Sequence, residues 1–247
     1  APSGGQAIRF FAGEIDGRLL INSGVSVTNV PSIASTVRAN PSAGFSIVSY
    51  TGTGANATIG HGLNAVPEFA IFKARNGANH WLVYHKSLGN GKKVNLNLTD
   101  AASSSSTFFQ NTDPTSSVMY LGTESSGNWS GYNMIGYLFS SVAGYSAFGS
   151  YEGNGSNDGP FVYTGFRPRW LMIKRTDSTS NWVIVDAARS SFNEVNDLLY
   201  AEQSLAETVD DGNNGIDFLS NGFKLRKGVG GTNVNGATLI YIAFASN

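Results

Sequence analysis

The stretch that decides the fold occurs twice in this chain. Its first copy reads Pro67-Glu68-Phe69-Ala70-Ile71-Phe72-Lys73-Ala74-Arg75, and its second reads Pro168-Arg169-Trp170-Leu171-Met172-Ile173-Lys174-Arg175. Each copy is followed by a tryptophan run, Trp81-Leu82-Val83-Tyr84-His85 or Trp182-Val183-Ile184-Val185-Asp186. Each is preceded by a Gly-x-Gly segment, at 52–54 or 153–155, and ends on an apolar run, at 134–139 or 239–244. Order and spacing are kept through four blocks, which predicts two internal repeats of about 100 residues, 44–145 and 146–247.

The periodicity within the repeats is that of strands. Residues 45–50 alternate apolar and polar side chains, and Asn76-Gly77 places a hairpin turn between the runs 69–73 and 81–85. Long helical patterns are absent from the sequence. We therefore predict an all-β fold, an antiparallel β-sandwich of jelly-roll or concanavalin-like type. Residues 44–247 are expected to form one sandwich, because a lone repeat leaves a larger fraction of its surface exposed.

Residues 1–43 belong to neither repeat. They contain three β-prone runs, at 8–11, 18–21 and 25–30, and Pro41 lies in the link to the first repeat. A segment of this size cannot bury a core of its own. We predict an N-terminal arm or docking segment that packs on the sandwich, on a symmetry mate or on another protein.

Composition narrows the classes of function. The net charge is -1 and only 13% of the residues are charged, so the basic face of a nucleic-acid binder is not expected. No apolar run is long enough to cross a bilayer, which argues against membrane insertion. There are no cysteines, so disulfides and zinc–thiolate sites are excluded.

Three patterns resemble sites of chemistry but lack an essential part. Gly52-Thr53-Gly54-Ala55-Asn56-Ala57 fits a dinucleotide loop, yet no helix follows it to hold the pyrophosphate. Glu14-Ile15-Asp16 begins a glucanase signature in which Leu19 occupies the place of the second glutamate. The three histidines, His61, His80 and His85, all lie in the first repeat and are spaced poorly for a metal. We predict no catalytic residue, no metal and no cofactor.

The oxygen-rich segment 210–217, Asp210-Asp211-Gly212-Asn213-Asn214-Gly215-Ile216-Asp217, leaves an alternative open. Calcium takes six to eight oxygen ligands, but the glycine falls one position early for an EF-hand and no glutamate follows. A polar hairpin loop is favoured, and calcium binding is the alternative.

Loops are the expected place for ligand contacts, because loops carry function on rigid scaffolds. Trp129 lies in the turn-rich segment Ser126-Gly127-Asn128-Trp129-Ser130-Gly131-Tyr132, where its ring can stack on a sugar or plug a sheet edge. The predicted ligand-binding residues are Asn128, Trp129, Tyr132, Asn154, Asn157 and Asp158.

With these residues described, the chain resembles a repeat found in structural proteins of tailed bacteriophages, marine ones in particular. The first copy contributes Tyr50-Thr51-Gly52-Thr53-Gly54, Gly60-His61-Gly62-Leu63, Pro67 and Trp81. The second contributes Gly149-Ser150-Tyr151-Glu152-Gly153-Asn154-Gly155, 158–168 and Phe218-Leu219-Ser220-Asn221-Gly222-Phe223-Lys224-Leu225-Arg226. The resemblance implies a lectin-like sandwich exposed on the virion, without catalytic residues.

The sequence therefore predicts a non-enzymatic virion protein, assembled in the host cytoplasm and exposed outside the cell. The leading role is a tail-fibre or adhesin-like module that binds the host surface. The alternatives are a capsid decoration protein that stabilises the head, and a glycan hydrolase on a lectin-like sandwich. Expected partners are other virion proteins, further copies of the chain in a homo-oligomer, and a host-surface glycan.

Overall fold

The computed structural model describes residues 13–15, 18–20, 30–209, 212–228 and 230–246. The predicted strand at 8–11, the predicted strand at 25–30 except for Val30, and the residues Asp16, Asp210 and Asp211 lie outside this part of the chain. No helix in the described residues is long and apolar enough to cross a membrane.

The described chain is all-β, as the sequence predicts. Its only α-helix there is α1, Ser125–Asn128, and a 3-10 turn spans Pro41–Ala43. The strands are β1 Gly13–Ile15, β2 Arg18–Leu20, β3 Ser35–Asn40, β4 Phe45–Thr51, β5 Ala57–Gly60, β6 Phe69–Ala74, β7 Leu82–His85, β8 Lys92–Asn95, β9 Ser103–Ser104, β10 Val118–Leu121, β11 Asn133–Phe139, β12 Ser146–Glu152, β13 Phe161–Tyr163, β14 Trp170–Arg175, β15 Trp182–Asp186, β16 Leu199–Tyr200, β17 Ile216–Leu219, β18 Gly222–Leu225 and β19 Thr238–Phe244.

Two main antiparallel sheets follow one another along the chain. The first has the strand order β3-β4-β11-β6-β7-β8-β9, and the second has the order β12-β19-β14-β15-β16. In β4 every second side chain is buried, which is the period-two pattern of a strand with one covered face. In β14 four consecutive side chains are buried, so this strand is covered on both faces.

A small sheet covers the outer face of each main sheet. The pair β5 and β10 packs on the first main sheet through Ile59 and Met119, which contact Phe72 and its neighbours in one core cluster. The sheet β13-β18-β17 packs on the second main sheet through a cluster that includes Phe223 and Leu171. The first half of the chain, up to residue 145, and the second half, from residue 146, therefore each have a core of their own.

A third core joins the two main sheets face to face. Phe69 and Val83 of the first sheet meet Phe148, Trp182 and Ile242 of the second. The ring centroids of Phe69 and Phe148 are 5.8 Å apart. The two main sheets and the two small sheets that cover them thus stack in the order small, main, main, small.

Strand β3 lies inside the segment that the sequence predicts to be an arm. It pairs with β4 along its whole length, from Ser35 opposite Tyr50 to Asn40 opposite Phe45. The 3-10 turn Pro41–Ala43 joins the two strands, and the left-handed Gly44 ends it. Residues 35–40 are therefore part of the first main sheet.

Candidate functional site

Asn128 is buried and fixes the Gly-x-Gly turn of the first half. Its Oδ1 accepts a hydrogen bond from the backbone N–H of Thr53 at 2.7 Å. Its Nδ2 donates to the carbonyl oxygens of Ala55 at 2.7 Å and Gly122 at 2.9 Å, and its own carbonyl accepts from the N–H of Gly54. The turn's N–H groups are thus bound within the protein, which explains physically why this Gly-x-Gly is not a phosphate loop.

Asn233 does the same in the second half. Its Oδ1 accepts from the N–H of Asn154 at 2.9 Å, and its Nδ2 donates to the carbonyls of Ser156 and Lys227, each at 2.8 Å. Its carbonyl accepts from the N–H of Gly155. The sequence predicted Asn128 as a ligand-binding residue and not as the buried support of a turn, and it did not predict a role for Asn233. The two asparagines share an Asn-x-x-Gly spacing, with Gly131 in one half and Gly236 in the other, and both glycines have a positive φ. Asn133 and Gly136 have the same spacing, so the sequence alone does not identify the pair.

The predicted aromatic site is a stacked pair that is half-buried. The rings of Trp129 and Tyr132 lie 3.8 Å apart with an angle of 10° between their planes. Both rings pack against the core of the first half. A Cβ at Gly77 would lie 2.6 Å from Tyr132 and 2.8 Å from Trp129, so only glycine allows the hairpin turn to approach the pair this closely.

The predicted second-half residues lie together on one exposed turn. Asn154 Oδ1 accepts from the N–H of Ser156, and Asn157 Oδ1 accepts from the N–H of Gly228 at 2.8 Å. Asp158 forms an ion pair with Lys224 at 2.8 Å. The hydrogen bond and the charge of Lys224 hold the pKa of the Asp158 carboxyl below its usual range. The turn therefore braces the neighbouring segment 224–233.

That braced segment forms one wall of a polar cavity in the second half, with a volume of about 180 Å³. No charged side chain lies among its described lining residues, which are Ser180, Asn181, Val183, Tyr200, Asn213, Asn214, Gly230 and Gly231. The amide of Asn181 is oriented by Gln203, whose Nε2 donates to Asn181 Oδ1 at 2.8 Å. Thr232 Oγ1 donates to Asn214 Oδ1 at 3.0 Å and fixes the opposite wall. Amides, hydroxyls and one aromatic ring can bind the hydroxyl groups of a neutral ligand.

In the first half, the chain itself fills the space at the start of β7. There Asn79 Nδ2 donates to Ser125 Oγ at 3.0 Å, and a Cβ at Gly127 would lie 2.6 Å from Leu82. Behind them Lys93 forms an ion pair with Glu124 at 2.9 Å. Helix α1 therefore covers the strand end that the glycines Gly230 and Gly231 leave open in the second half.

Two of the histidines are structural. His61 Nε2 contacts the carbonyl of Thr115 at 3.1 Å while its Nδ1 accepts from the N–H of Leu63. His85 contacts the carbonyl of Tyr241 at 3.2 Å and its Nδ1 accepts from Ser87. Burial lowers the pKa of His61 and lowers that of His85 to about 4, so both rings are neutral at pH 7. Neither ring has a nitrogen left for a substrate or a metal.

The described residues contain no group of three or more His, Asp or Glu side chains that could hold a metal ion. In the segment 210–217, Asp217 forms an ion pair with Arg226. Asp210 and Asp211 are not among the described residues. Calcium binding by this segment therefore stays the alternative to a polar hairpin loop.

A family model matches residues 20–247, nearly the whole chain. The chain belongs to the DUF7483 family. The description of this family is a domain of unknown function. No curated protein matches the chain, and no solved structure matches it.

Proposed function

We propose that this DUF7483 protein is a structural protein of a phage particle, exposed on its surface as a tail-fibre or adhesin-like module. It acts by binding a neutral saccharide of the host surface. The observation that carries the proposal is the cavity at Asn181 and Asn214, whose described lining residues carry no charge and offer amides and hydroxyls. Saccharide hydroxyls are both donors and acceptors, and amide side chains offer both in fixed geometry.

The finer architecture belongs to the same proposal: an antiparallel sandwich of jelly-roll or concanavalin-like type, built from two copies of one unit, 44–145 and 146–247. The strand orders β4-β11-β6-β7-β8 and β12-β19-β14-β15-β16 support it. The registers agree as well, since Phe69 lies opposite His85 where Trp170 lies opposite Asp186. The paired asparagines Asn128 and Asn233 add a third point of agreement.

A role in binding without catalysis is supported by the ion pairs that many of the acidic side chains form. Ion pairs occupy carboxylates across the described chain, with distances of 2.5 to 3.3 Å, at Glu68, Glu124, Asp158, Asp177, Asp186, Glu194, Glu207 and Asp217. A retaining or inverting hydrolase needs two carboxyl groups facing one open site, one of them protonated. The cavity's described lining holds none.

A capsid decoration protein is the second candidate. Its support is a set of apolar side chains left exposed on the long connection between β15 and β17, namely Phe192, Leu205 and Val209. Exposed apolar groups in a connection of this kind suit contact with another protein.

One experiment separates these roles. The protein is applied to an array of neutral, acidic and basic saccharides, and bound sugars are then checked for release of reducing ends. We expect retention of one or more neutral saccharides without release. Retention on none of them favours the decoration role, and release of reducing ends favours the hydrolase.

A further inference from the structure

In the first half, residues 30–40 cover two strand edges that have no counterpart cover among the described residues of the second half. Residues 30–33 lie along the free edge of β5, where the N–H groups of Ser32 and Ile33 both donate to the carbonyl of Thr58 at 3.0 Å. The N–H of Thr58 donates to Ser32 Oγ at 2.8 Å. Pro31 packs over Gly60, since a Cβ on that glycine would lie 2.9 Å from the proline ring. The backbone N–H and carbonyl of Thr58 on this edge are thereby bonded to residues 32–33, and Pro31 lies over the end of the strand.

The same segment then closes the edge of the main sheet. It continues into β3, which pairs with β4 from end to end. Residues 30–40 therefore cover two strand edges of the first half in succession. Uncovered edges present unpaired N–H and C=O groups, which is the usual template for pairing with another chain.

The corresponding edges of the second half have no such cover among the described residues. Strand β12, which corresponds to β4, has only β19 as a neighbour, and β13, which corresponds to β5, has only β18. Val162 opposite Phe223 matches Ile59 opposite Met119, and all four side chains are buried.

The outward side chains of β13 are aromatic and exposed. Phe161 is 45% exposed and Tyr163 is 66% exposed, at the places held in the first half by Thr58 and Gly60. Aromatic side chains that flank a free strand edge are typical of a surface that another chain covers.

We propose that these two edges accept a β-strand from residues 21–29 of a second copy of the chain, the part of the N-terminal arm between β2 and Val30. Residues 30–40 show what fits: an extended segment of this same chain, which pairs along both edges of an equivalent acceptor. Residues 21–29 supply further β-prone sequence, including Val25-Ser26-Val27-Thr28, directly ahead of that segment. Strand addition gains backbone hydrogen bonds along the edge, and the aromatic side chains give it specificity.

The layer order favours a second copy over the chain's own arm. The arm leaves the described fold at Val30, whose carbonyl accepts from Thr58 Oγ1 on the small sheet of the first half. Strand β13 lies in the opposite outer layer, about 30 Å away across three sheet spacings. When copies stack head to tail, the outer layer of one first half faces the outer layer of the next second half, and the arm crosses directly. Such contacts are heterologous and build a ring or a filament.

Sedimentation of the intact chain tests the assembly. We expect concentration-dependent association for the unaltered protein, and a dissociation constant raised about tenfold or more by Phe161→Lys combined with Tyr163→Glu. Because these side chains point outward, the melting temperature should be unchanged. Val66→Glu is the matched control, since Val66 is an exposed apolar residue (48%) of the first half, and it should assemble normally. An unaltered chain that stays monomeric, or a double variant that associates as tightly as the control, overturns the proposal.

Cysteine cross-linking tests which segment pairs with the free edge of β13. The chain has no cysteine of its own, so every disulfide formed comes from the introduced cysteines. Chains carrying one cysteine at position 25, 26, 27 or 28 are mixed with chains carrying Tyr163→Cys and oxidised. We expect a disulfide-linked pair of the two different chains from at least one position. If the pair forms from none of them, or if chains carrying both cysteines close the bond within a monomer, the second-copy arm is ruled out. Saccharide retention is measured on the same samples, so failure of assembly and failure of sugar binding are seen separately.

Discussion

Asn128 and Asn233 make the same hydrogen bonds in the two halves of the chain, each holding a Gly-x-Gly turn by its side chain and its carbonyl. Both amides are buried. Removing such a side chain takes the hydrogen-bond partner from one N–H and two carbonyls, in bonds that are part-buried or, for Gly122, buried. A buried group left without a partner costs about 1–3 kcal/mol.

Asn128→Ala and Asn233→Ala should therefore each lower the free energy of unfolding by about 2–4 kcal/mol. Urea titration followed by tryptophan fluorescence measures the loss. Asn154→Ala is the control, because that side chain bonds only within an exposed turn. If one of the two buried asparagines is replaced at no more cost than Asn154, the two turns are not held in the same way.

Trp182 is the first residue of β15 and Trp81 directly precedes β7, but the two side chains differ in burial. Trp182 is fully buried between the main sheets and its Nε1 donates to the carbonyl of Asn95 at 3.0 Å, whereas Trp81 is 37% exposed. Trp182→Ala should cost about 3–5 kcal/mol, and Trp81→Ala clearly less. Thermal unfolding of both variants decides this. Equal losses would mean that the core between the main sheets contributes little.

Buried histidines predict a loss of stability in mild acid. The pKa of His85 is about 4 in the folded protein, below its ordinary value of 6.5, and burial lowers that of His61 as well. The unfolded chain takes up these protons first, so the stability that depends on them is complete above pH 6.5. For His85 it falls as the pH drops from 6.5 toward 4, by about 1.4 kcal/mol per pH unit, and His61 acts in the same direction. His85→Gln keeps a donor for Tyr241 and should make this slope shallower between pH 6.5 and 4.5. An unchanged slope would contradict the role of His85.

Trp129→Ala separates the two interpretations of Trp129, a ring that stacks on a sugar and a ring that plugs a sheet edge. Because the ring packs on the core and on Tyr132, we expect a loss of about 1–3 kcal/mol in unfolding free energy. Saccharide retention on the array should be kept, since the cavity lies in the other half. Lost retention at unchanged stability would restore the predicted ligand-binding role of Trp129.

The residues that sequence periodicity identifies correctly are those whose pattern is local. The strands around 45–50, 69–73 and 82–85, and the glycine turn at 76–77, follow from alternation and turn chemistry alone. The role of β3 could not be foreseen, because its place beside β4 depends on where the chain returns after the 3-10 turn. The burial of Asn128 was missed for a similar reason, since its partners Thr53 and Ala55 lie far away in sequence.

The cavity could not be predicted from the sequence, because its lining comes from segments that are far apart in the chain, at 180–183, 200, 213–214 and 230–231. Of these lining residues, the sequence singles out only Asn213 and Asn214, as oxygen ligands in the segment 210–217. Of the predicted ligand-binding residues, Asn157 braces the cavity wall from outside, through the N–H of Gly228.

Calorimetric titration of a retained neutral saccharide into paired variants tests the central claim most directly. Asn181→Ala removes an amide from the cavity, and His80→Ala alters the corresponding place of the first half, which helix α1 fills. We predict that Asn181→Ala weakens binding about fivefold, the equivalent of one hydrogen bond, while His80→Ala leaves it unchanged. Unchanged affinity in Asn181→Ala, or an equal loss in both variants, would contradict the claim that the second-half cavity is the binding site.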